Sequence, residues 1–450
     1  MHCFILTTTQ KENQMIKQLL IVSVLLIVFD QGICQLSKIE KKIVNSIDSN
    51  NKKFIELLKE SVNINSGSMN FEGVKRDGML LKPYFEELGM EVNWVDGSAF
   101  NRAGHLIATI KGNKTPGILM IGHLDTVFEP NSPFQKYEMI NDSTMKGPGV
   151  IDMKGGNLII LAALNALNET GLLKGMSIEV ILIGDEEKSG SPLDLARKDL
   201  KAAAERADVA LAFENGDGDP KTIVVTRRGS SGWKLSVTGN AAHSSQVFTE
   251  KVGYGAIYEA SRILTEFQKT LQSEKDLTFN PGVFVGGTSA SFDPGQSSGE
   301  AFGKTNVVAQ TAIVSGDIRA TSLEQLHRAK KAMLNIVSDH LPGTSAELTF
   351  NDGGYPPMAE TEGNLKLLQY YSDVSEDLGY GTVDPVHPRN AGAADVSFTA
   401  GLVDMAIDGM GLSGDDAHTI NETANLNMFP VQTKRAAILM YRLCYGKKDK

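Results

Sequence analysis

Three cysteines in 450 residues are too few for a disulfide framework, and Cys3 and Cys34 fall at the very start, which leaves Cys444 without a partner for an internal bridge. Positive charge is also short. Against 54 Asp and Glu stand 44 Lys and Arg, a formal net charge of -10, which argues against nucleic acid or an anionic membrane as the main partner, since both need clustered cations. Small molecules and peptides fit better. No internal repeat or low-complexity tract is present, so nothing points to a repeat array or a disordered linker. Long apolar runs are absent except for LLIVSVLLIVF, Leu19 to Phe29. With Lys17 before it, Gly32 and Cys34 after it and a possible start at Met15, this run reads as a secretory signal over residues 1–34, too short to span a bilayer comfortably. The expectation is an exported protein, periplasmic or secreted, whose signal is cleaved rather than kept as an anchor.

The remainder has ordinary globular composition, 41% hydrophobic and 22% charged, and is long enough for roughly two domains. From about Leu36 to Arg227, helical patterns alternate with apolar strands: Ile39 to Val62 as helix, GILMIG (Gly117 to Gly122) as strand, Gly155 to Glu169 as helix, SIEVILIG and ADVALAFE as strands. That alternation predicts an α/β unit with a mostly parallel sheet and its functional groups at the strands' carboxyl ends. From 228 to 354 the order becomes strand, helix, two strands, helix, strand, a split βαβ layout of one compact α+β unit. Residues 355–450 return to helices around short apolar strands. The reading is therefore a catalytic unit over 36–227 and 355–450, interrupted by a smaller ferredoxin-like unit over 228–354.

Chemistry concentrates at the strand ends. GILMIG runs into His123-Leu124-Asp125, where residues two apart in extended backbone face one side and Asp125 can orient the His123 ring. GPGVIDMKGG carries Asp152 in a glycine-rich turn. IEVILI ends in Asp185, Glu186 and Glu187, ALAFE ends in Glu214, and GDDAHTINE carries His418. Each has an ordinary reading alone: a strand-end histidine, a turn aspartate, an exposed acidic loop. Together they form a set of nitrogen and oxygen donors suited to zinc, beside an acidic pair in which one member binds while the other stays free as a base. Three acids closing a buried strand require a positive partner, and a metal supplies it.

The order H-L-D-T, G-x-x-D-M-K-G-G, D-E-E, F-E, G-x-x-x-x-x-A-H resembles the di-zinc exopeptidase family of glutamate carboxypeptidase, aminoacylase and succinyl-diaminopimelate desuccinylase, over nearly all of the chain after the signal. The resemblance implies two Zn2+ per chain, with Asp152 bridging, His123 and Glu214 completing one site, and Glu187 and His418 the other. It implies Asp125 as the orienting residue, Glu186 as general base, and a cis peptide after Asp152. The inserted unit resembles the family's lid and dimerisation domain. There His243, in GNAAHSS, is implied to serve the neighbouring subunit's site in a homodimer, while Asn306 and Arg319 match positions that hold a substrate carboxylate, with Gly392 in a further substrate-binding loop. An ion pair between Arg319 and Asp317 is the plain alternative for that arginine.

Two departures stand out. Gly353-Gly354-Tyr355-Pro356 replaces an arginine before the proline of glutamate-releasing relatives. Ala391-Gly392-Ala393-Ala394-Asp395 lacks the hydroxyl of a Gly-Gly-Thr. His105, His327, His340 and His387 match no ligand motif and read as surface or core histidines. The implied activity is hydrolysis of an amide or peptide bond beside an amino acid with a free carboxylate, in a peptide or N-acyl amino acid; the alternatives are an exported dipeptidase of the same family and, remotely, an inactive peptide-binding relative.

Overall fold

The computed structural model describes residues 36–351 and 353–446, so the signal expected over residues 1–34 lies outside it. Helix α1 (Lys38–Val62) starts at a capping box in which Ser37 and Glu40 each satisfy the other's backbone amide, and its apolar stripe of Ile43, Ile47, Phe54, Leu58 and Val62 is buried. Helix α2 (Phe71–Glu87) follows, then strands β1 (Glu91–Asp96), β2 (Gly104–Ile110) and β3 (Ile118–His123). Next come α3 (Gly155–Glu169), β4 (Ile178–Ile183) and β5 (Val209–Ala212). The inserted unit contributes β6 (Ser231–Gly239), α4 (Ala256–Leu271), β7 (Thr278–Gly287), β8 (Ser289–Asp293), β9 (Ser298–Phe302), β10 (Thr311–Arg319), α5 (Leu323–Ser338) and β11 (Thr344–Phe350). The chain then returns through α6 (Glu362–Asp377), β12 (Met405–Ile407) and α7 (Met428–Tyr445).

One sheet, ordered β1-β2-β4-β3-β5-β12, organises the first unit. The β4-β3, β3-β5 and β5-β12 pairings are parallel, and β1-β2 and β2-β4 are antiparallel. All six residues of β3 are buried, as expected of a strand covered on both faces. Helix α3 is apolar over its first three turns, Asn157 aside, because those turns are covered; it packs against α1, α7 and β3. The four parallel strands end on one edge. There they deliver His123, the Asp185–Glu187 turn, Glu214 and Asp408 to a single place.

The inserted unit has its own antiparallel sheet, β7-β10-β6-β11, and its own core, built from Trp233, Leu235, Val237, Ile263, Phe267, Val314 and Met333. Strand, helix, strand, strand, helix, strand in this order is the ferredoxin-like arrangement, with the β8-β9 hairpin added between its second and third strands. Two details are not visible in the helix-strand pattern. Strand β10 begins at Thr311, and Asn306 lies in a turn before it, where the Asn306 carbonyl accepts from the Ser244 amide and the Val308 amide donates to the Ala242 carbonyl rather than to the ladder. The antiparallel edge of the first sheet, β1 and β2, has no counterpart in the helix-strand alternation read from the sequence.

Close approach fixes the start of α3. A β-carbon on Gly156 would collide with the Phe213 carbonyl oxygen, immediately before Glu214. Gly156→Ala is therefore expected to lower stability by about 1–3 kcal/mol, the usual cost of overpacking, as a lower denaturation midpoint of the metal-free protein. An unchanged midpoint would contradict this packing.

Candidate metal centre

Asp152 stands between two histidines. Its Oδ1 lies 3.0 Å from His123 Nε2 and its Oδ2 2.9 Å from His418 Nε2. Glu214 Oε1 approaches the same His123 nitrogen at 3.4 Å, and Glu187 Oε2 approaches that of His418 at 3.2 Å. Two groups of potential ligands result, His123-Asp152-Glu214 and Asp152-Glu187-His418, and they share only Asp152.

The chain spends backbone geometry on this arrangement. The Asp152–Met153 peptide is cis, and Asp152 itself has non-helical torsions (φ -125°, ψ 86°) just before α3 begins. His418 has φ 64°, a left-handed conformation that residues with a β-carbon seldom adopt. Glu422, buried, accepts hydrogen bonds from the amides of Gly149 (2.9 Å), Ile151 (2.9 Å) and Asp152 (3.3 Å), and so holds the turn that carries the shared carboxylate. Asn157, buried on α3, donates to the His123 carbonyl and fixes the end of β3.

Residues 119–442 match the model of peptidase family M20/M25/M40. The chain belongs to this family. Over 434 residues it is 25% identical to carboxypeptidase G2 of Pseudomonas sp. (strain RS-16), covering 95% of this chain and 98% of that protein. It is 26% identical to a succinyl-diaminopimelate desuccinylase of Rickettsia bellii (strain RML369-C) over 333 residues, 71% of this chain and 79% of the relative. Among solved structures, aminopeptidase PepT of Bacillus cereus superposes with a TM-score of 0.69 at 21% identity, covering 88% of this chain and 99% of that one. YXEP of Bacillus subtilis, described as a dinuclear metal-binding peptidase of family M20, superposes with a TM-score of 0.61 at 17% identity, covering 89% and 100%. These last two likenesses concern the fold.

The residues of this M20 chain fit a pair of cations. Glu187 Oε1 is buried without a hydrogen-bond partner, although its other oxygen faces His418. Imidazole nitrogens with carboxylate oxygens are the donor set of zinc and related divalent metals. The electrostatics agree. Burial is the main cause that pushes the Glu186 carboxyl well above its usual range; His123 opposes it, and repulsion from Glu214, Asp395 and Glu187 adds to it. Burial likewise raises Glu214 to about 7. Hydrogen bonds to Asp152 and Glu187 raise His418 to about 11. Buried negative charge is in excess, and protons take up part of it.

Other site residues differ in detail from the sequence reading. His123 Nδ1 donates to the main-chain carbonyl of Asp125 (2.9 Å), while the Asp125 carboxylate stays 3.6 Å away. That carboxylate instead accepts from Ser68 Oγ (2.6 Å) and from the amides of Glu186 (2.9 Å) and Glu187 (3.1 Å), which ties β3 to the acidic turn. Of the three acids closing β4, Asp185 faces no metal site. Its positive partner is the buried Arg197, 2.8 Å away, which also pairs with Asp395 at 2.7 Å. Asp408, missed in the sequence, accepts from the Glu214 amide (3.1 Å) and pairs with Arg227 (2.8 Å), whose other arm reaches the Gly392 carbonyl.

The inserted unit holds His243, Asn306 and Arg319, but not together. The Asn306 carbonyl accepts from the Ser244 amide, so Asn306 and His243 share one exposed corner, where the His243 ring bonds Ser245. Arg319 closes the opposite end of β10 and is paired with Asp317 at 2.9 Å. At about 3.3 Å per residue, β10 separates the two ends by roughly 26 Å. One carboxylate therefore cannot be held by Asn306 and Arg319 of the same chain in this conformation. His105 is a core residue stacked on Phe100, and His340 lies beside Glu259; His327 and His387 belong to neither ligand group.

Because His418 carries a proton below about 11 in the metal-free protein, a cation taking its nitrogen must displace that proton. Metal uptake at pH 8 is expected to release at least one proton per chain, and affinity should rise with pH through the neutral range. Calorimetry in buffers of different ionisation enthalpy measures the release; uptake without proton release would contradict the geometry at His418.

Proposed function

We propose that this M20 protein is a di-zinc hydrolase that cleaves an amide or peptide bond beside an amino acid with a free carboxylate, in the manner of a carboxypeptidase or an N-acyl-amino-acid amidohydrolase. The observation that carries the reading is the shared Asp152 between two complete ligand groups, with a third, unshared glutamate beside them. The similarity to a carboxypeptidase along 98% of its length, and to desuccinylases, supports this substrate class over a dipeptide.

When bound, the metal pair supplies Lewis acidity, which lowers the pKa of water and polarises a carbonyl. The remaining work falls to the chain. Glu186, held through its amide by Asp125, takes a proton from the attacking water and returns it to the leaving nitrogen. Its raised affinity for a proton suits it to hold one between those two transfers. Asp125 keeps the His123 ring in one orientation through its carbonyl, so Nε2 faces Asp152 and Glu214. Arg319, at the linker end of β10, is the cation suited to a substrate carboxylate in its own chain. His243 and Asn306, at the far end, suit the site of a second subunit, where a donor aimed at the developing oxyanion is worth on the order of 10²- to 10³-fold in rate.

The test uses protein loaded with zinc and a panel of acyl-amino acids, C-terminal peptides and dipeptides. Glu186→Gln should retain the metal and lose roughly 10²- to 10⁴-fold in turnover. His243→Ala should also retain metal and be nearly inactive. Mixed under subunit exchange, the two variants should recover up to roughly a quarter of wild-type activity, because about half of the dimers are mixed and each holds one intact site. Loss of metal in Glu186→Gln would move the base elsewhere; no recovery despite exchange would return His243 to its own chain. Turnover confined to dipeptides would favour the dipeptidase alternative.

A further inference from the structure

Two linkers join the inserted unit to the metal-bearing unit, and they run side by side. Arg227 and Met358 exchange both backbone hydrogen bonds, and the Ser230 amide donates to the Tyr355 carbonyl at 2.9 Å. Neither strand of the pair has room to spare: a β-carbon on Gly354 would collide with the Ser230 carbonyl, and one on Gly229 would lie 2.7 Å from Pro357 N. Tyr355 therefore leaves the linker from a well-defined backbone position.

Its side chain crosses to the other unit. The phenol has one proton to donate and two lone pairs, and all three are used. It donates to the Glu186 carbonyl at 3.0 Å and accepts from Arg197 Nη2 at 2.7 Å. With its proton so placed it also accepts from Ser189 Oγ at 3.1 Å. The ring packs edge-on against Phe398, with centroids 5.1 Å apart, and the Arg197 guanidinium lies over both rings. Arg197 in turn holds the carboxylate and the carbonyl of Asp185. The Asp185–Ser189 turn is thus gripped on one side by Asp125, through the amides of Glu186 and Glu187, and on the other by Tyr355, through the carbonyl of Glu186. Only the second grip reaches the linker.

We propose that Tyr355 is a positioning residue for the reaction: its hydroxyl transmits the placement of the linker to the backbone of Glu186 and so aims the base. The proposal rests on the hydrolase reading, with Glu186 in that role. The geometry accounts for the direction of the effect. Removing the hydroxyl leaves the ring packing and the Asp125 grip intact, so Glu187 keeps its place as a ligand while the Glu186 peptide loses one of its two restraints. A base displaced by a fraction of an ångström costs rate rather than substrate affinity.

Tyr355→Phe removes only the hydroxyl and keeps the ring that packs on Phe398. With a substrate that the wild type hydrolyses, kcat should fall roughly ten- to a hundredfold, KM should stay within about twofold, and both metals should be retained. A second readout needs no substrate. Amide exchange of the 185–189 segment should accelerate in the metal-free and loaded variant alike, while segments of the inserted unit such as α4 keep their wild-type rates. Unchanged kcat, metal loss in step with activity, or a raised KM with kcat intact would each overturn the proposal. Unchanged exchange over 185–189 would overturn it as well. If the wild type hydrolyses no amide, the hydrolase reading fails, and the exchange measurement still decides whether Tyr355 restrains the turn.

Discussion

The rest of the structure depends on keeping several carboxylates buried within a few ångströms of one another. Asp152, Glu187, Glu214 and Glu186 gather at the carboxyl edge of one sheet, with Asp125, Asp395 and Asp408 close behind. Burying unpaired ions costs several kcal/mol each, so the fold supplies partners to the acids behind the ligand groups. Arg197 offsets Asp185 and Asp395, Arg227 offsets Asp408, and backbone amides serve Asp125 and Glu422. What remains without a fixed cation is the pair of ligand groups around Asp152. The histidines on either side of Asp152 are both pushed above their ordinary range by these carboxylates, and the proposed uptake of metal rests on the same shortage of positive charge.

The supports divide by which side of the insertion they come from. Asp125 and Asn157 precede it and hold segments that also precede it, the Glu186–Glu187 amides and the end of β3. Asp408, Glu422, Asp395 and Tyr355 all arrive after the inserted unit, and each holds a segment from before it: Glu214, the Asp152 turn, Arg197 and the Glu186 turn. The unit that carries the two ligand groups is completed only when the chain returns. The insertion is thereby attached to the centre at its base, through linkers whose glycines permit close pairing.

How legible this was follows from the same division. The six-stranded sheet's parallel part and the five candidate ligands that the structure gathers around Asp152 are legible in the sequence because buried strands announce themselves as apolar runs, and polar groups placed just beyond such runs have few bland explanations. The partner of Asp185 could not, since Arg197 lies 12 positions on, past a turn, and nothing local distinguishes it from Lys198 or Lys201. Asp408 and Glu422 look like ordinary turn acids; only the long-range pairing of β12 with β5, and of the short strands around 423–425 and 144–146, gives them a role. Asn306 and Arg319 are assigned to a substrate carboxylate by resemblance alone, which does not say that an extended strand lies between them in one chain. The antiparallel edge of β1 and β2 escaped because alternation of helix and strand carries no information on strand direction at an edge.

The central claim is that Asp152 is shared by two metal ions. Anomalous diffraction at the zinc edge, from crystals of the protein grown with zinc, tests it directly. Two peaks about 3.5–4 Å apart are expected, both within bonding distance of Asp152, one also at His123 and Glu214 and the other at Glu187 and His418. A single peak, or two peaks of which only one touches Asp152, would contradict the account.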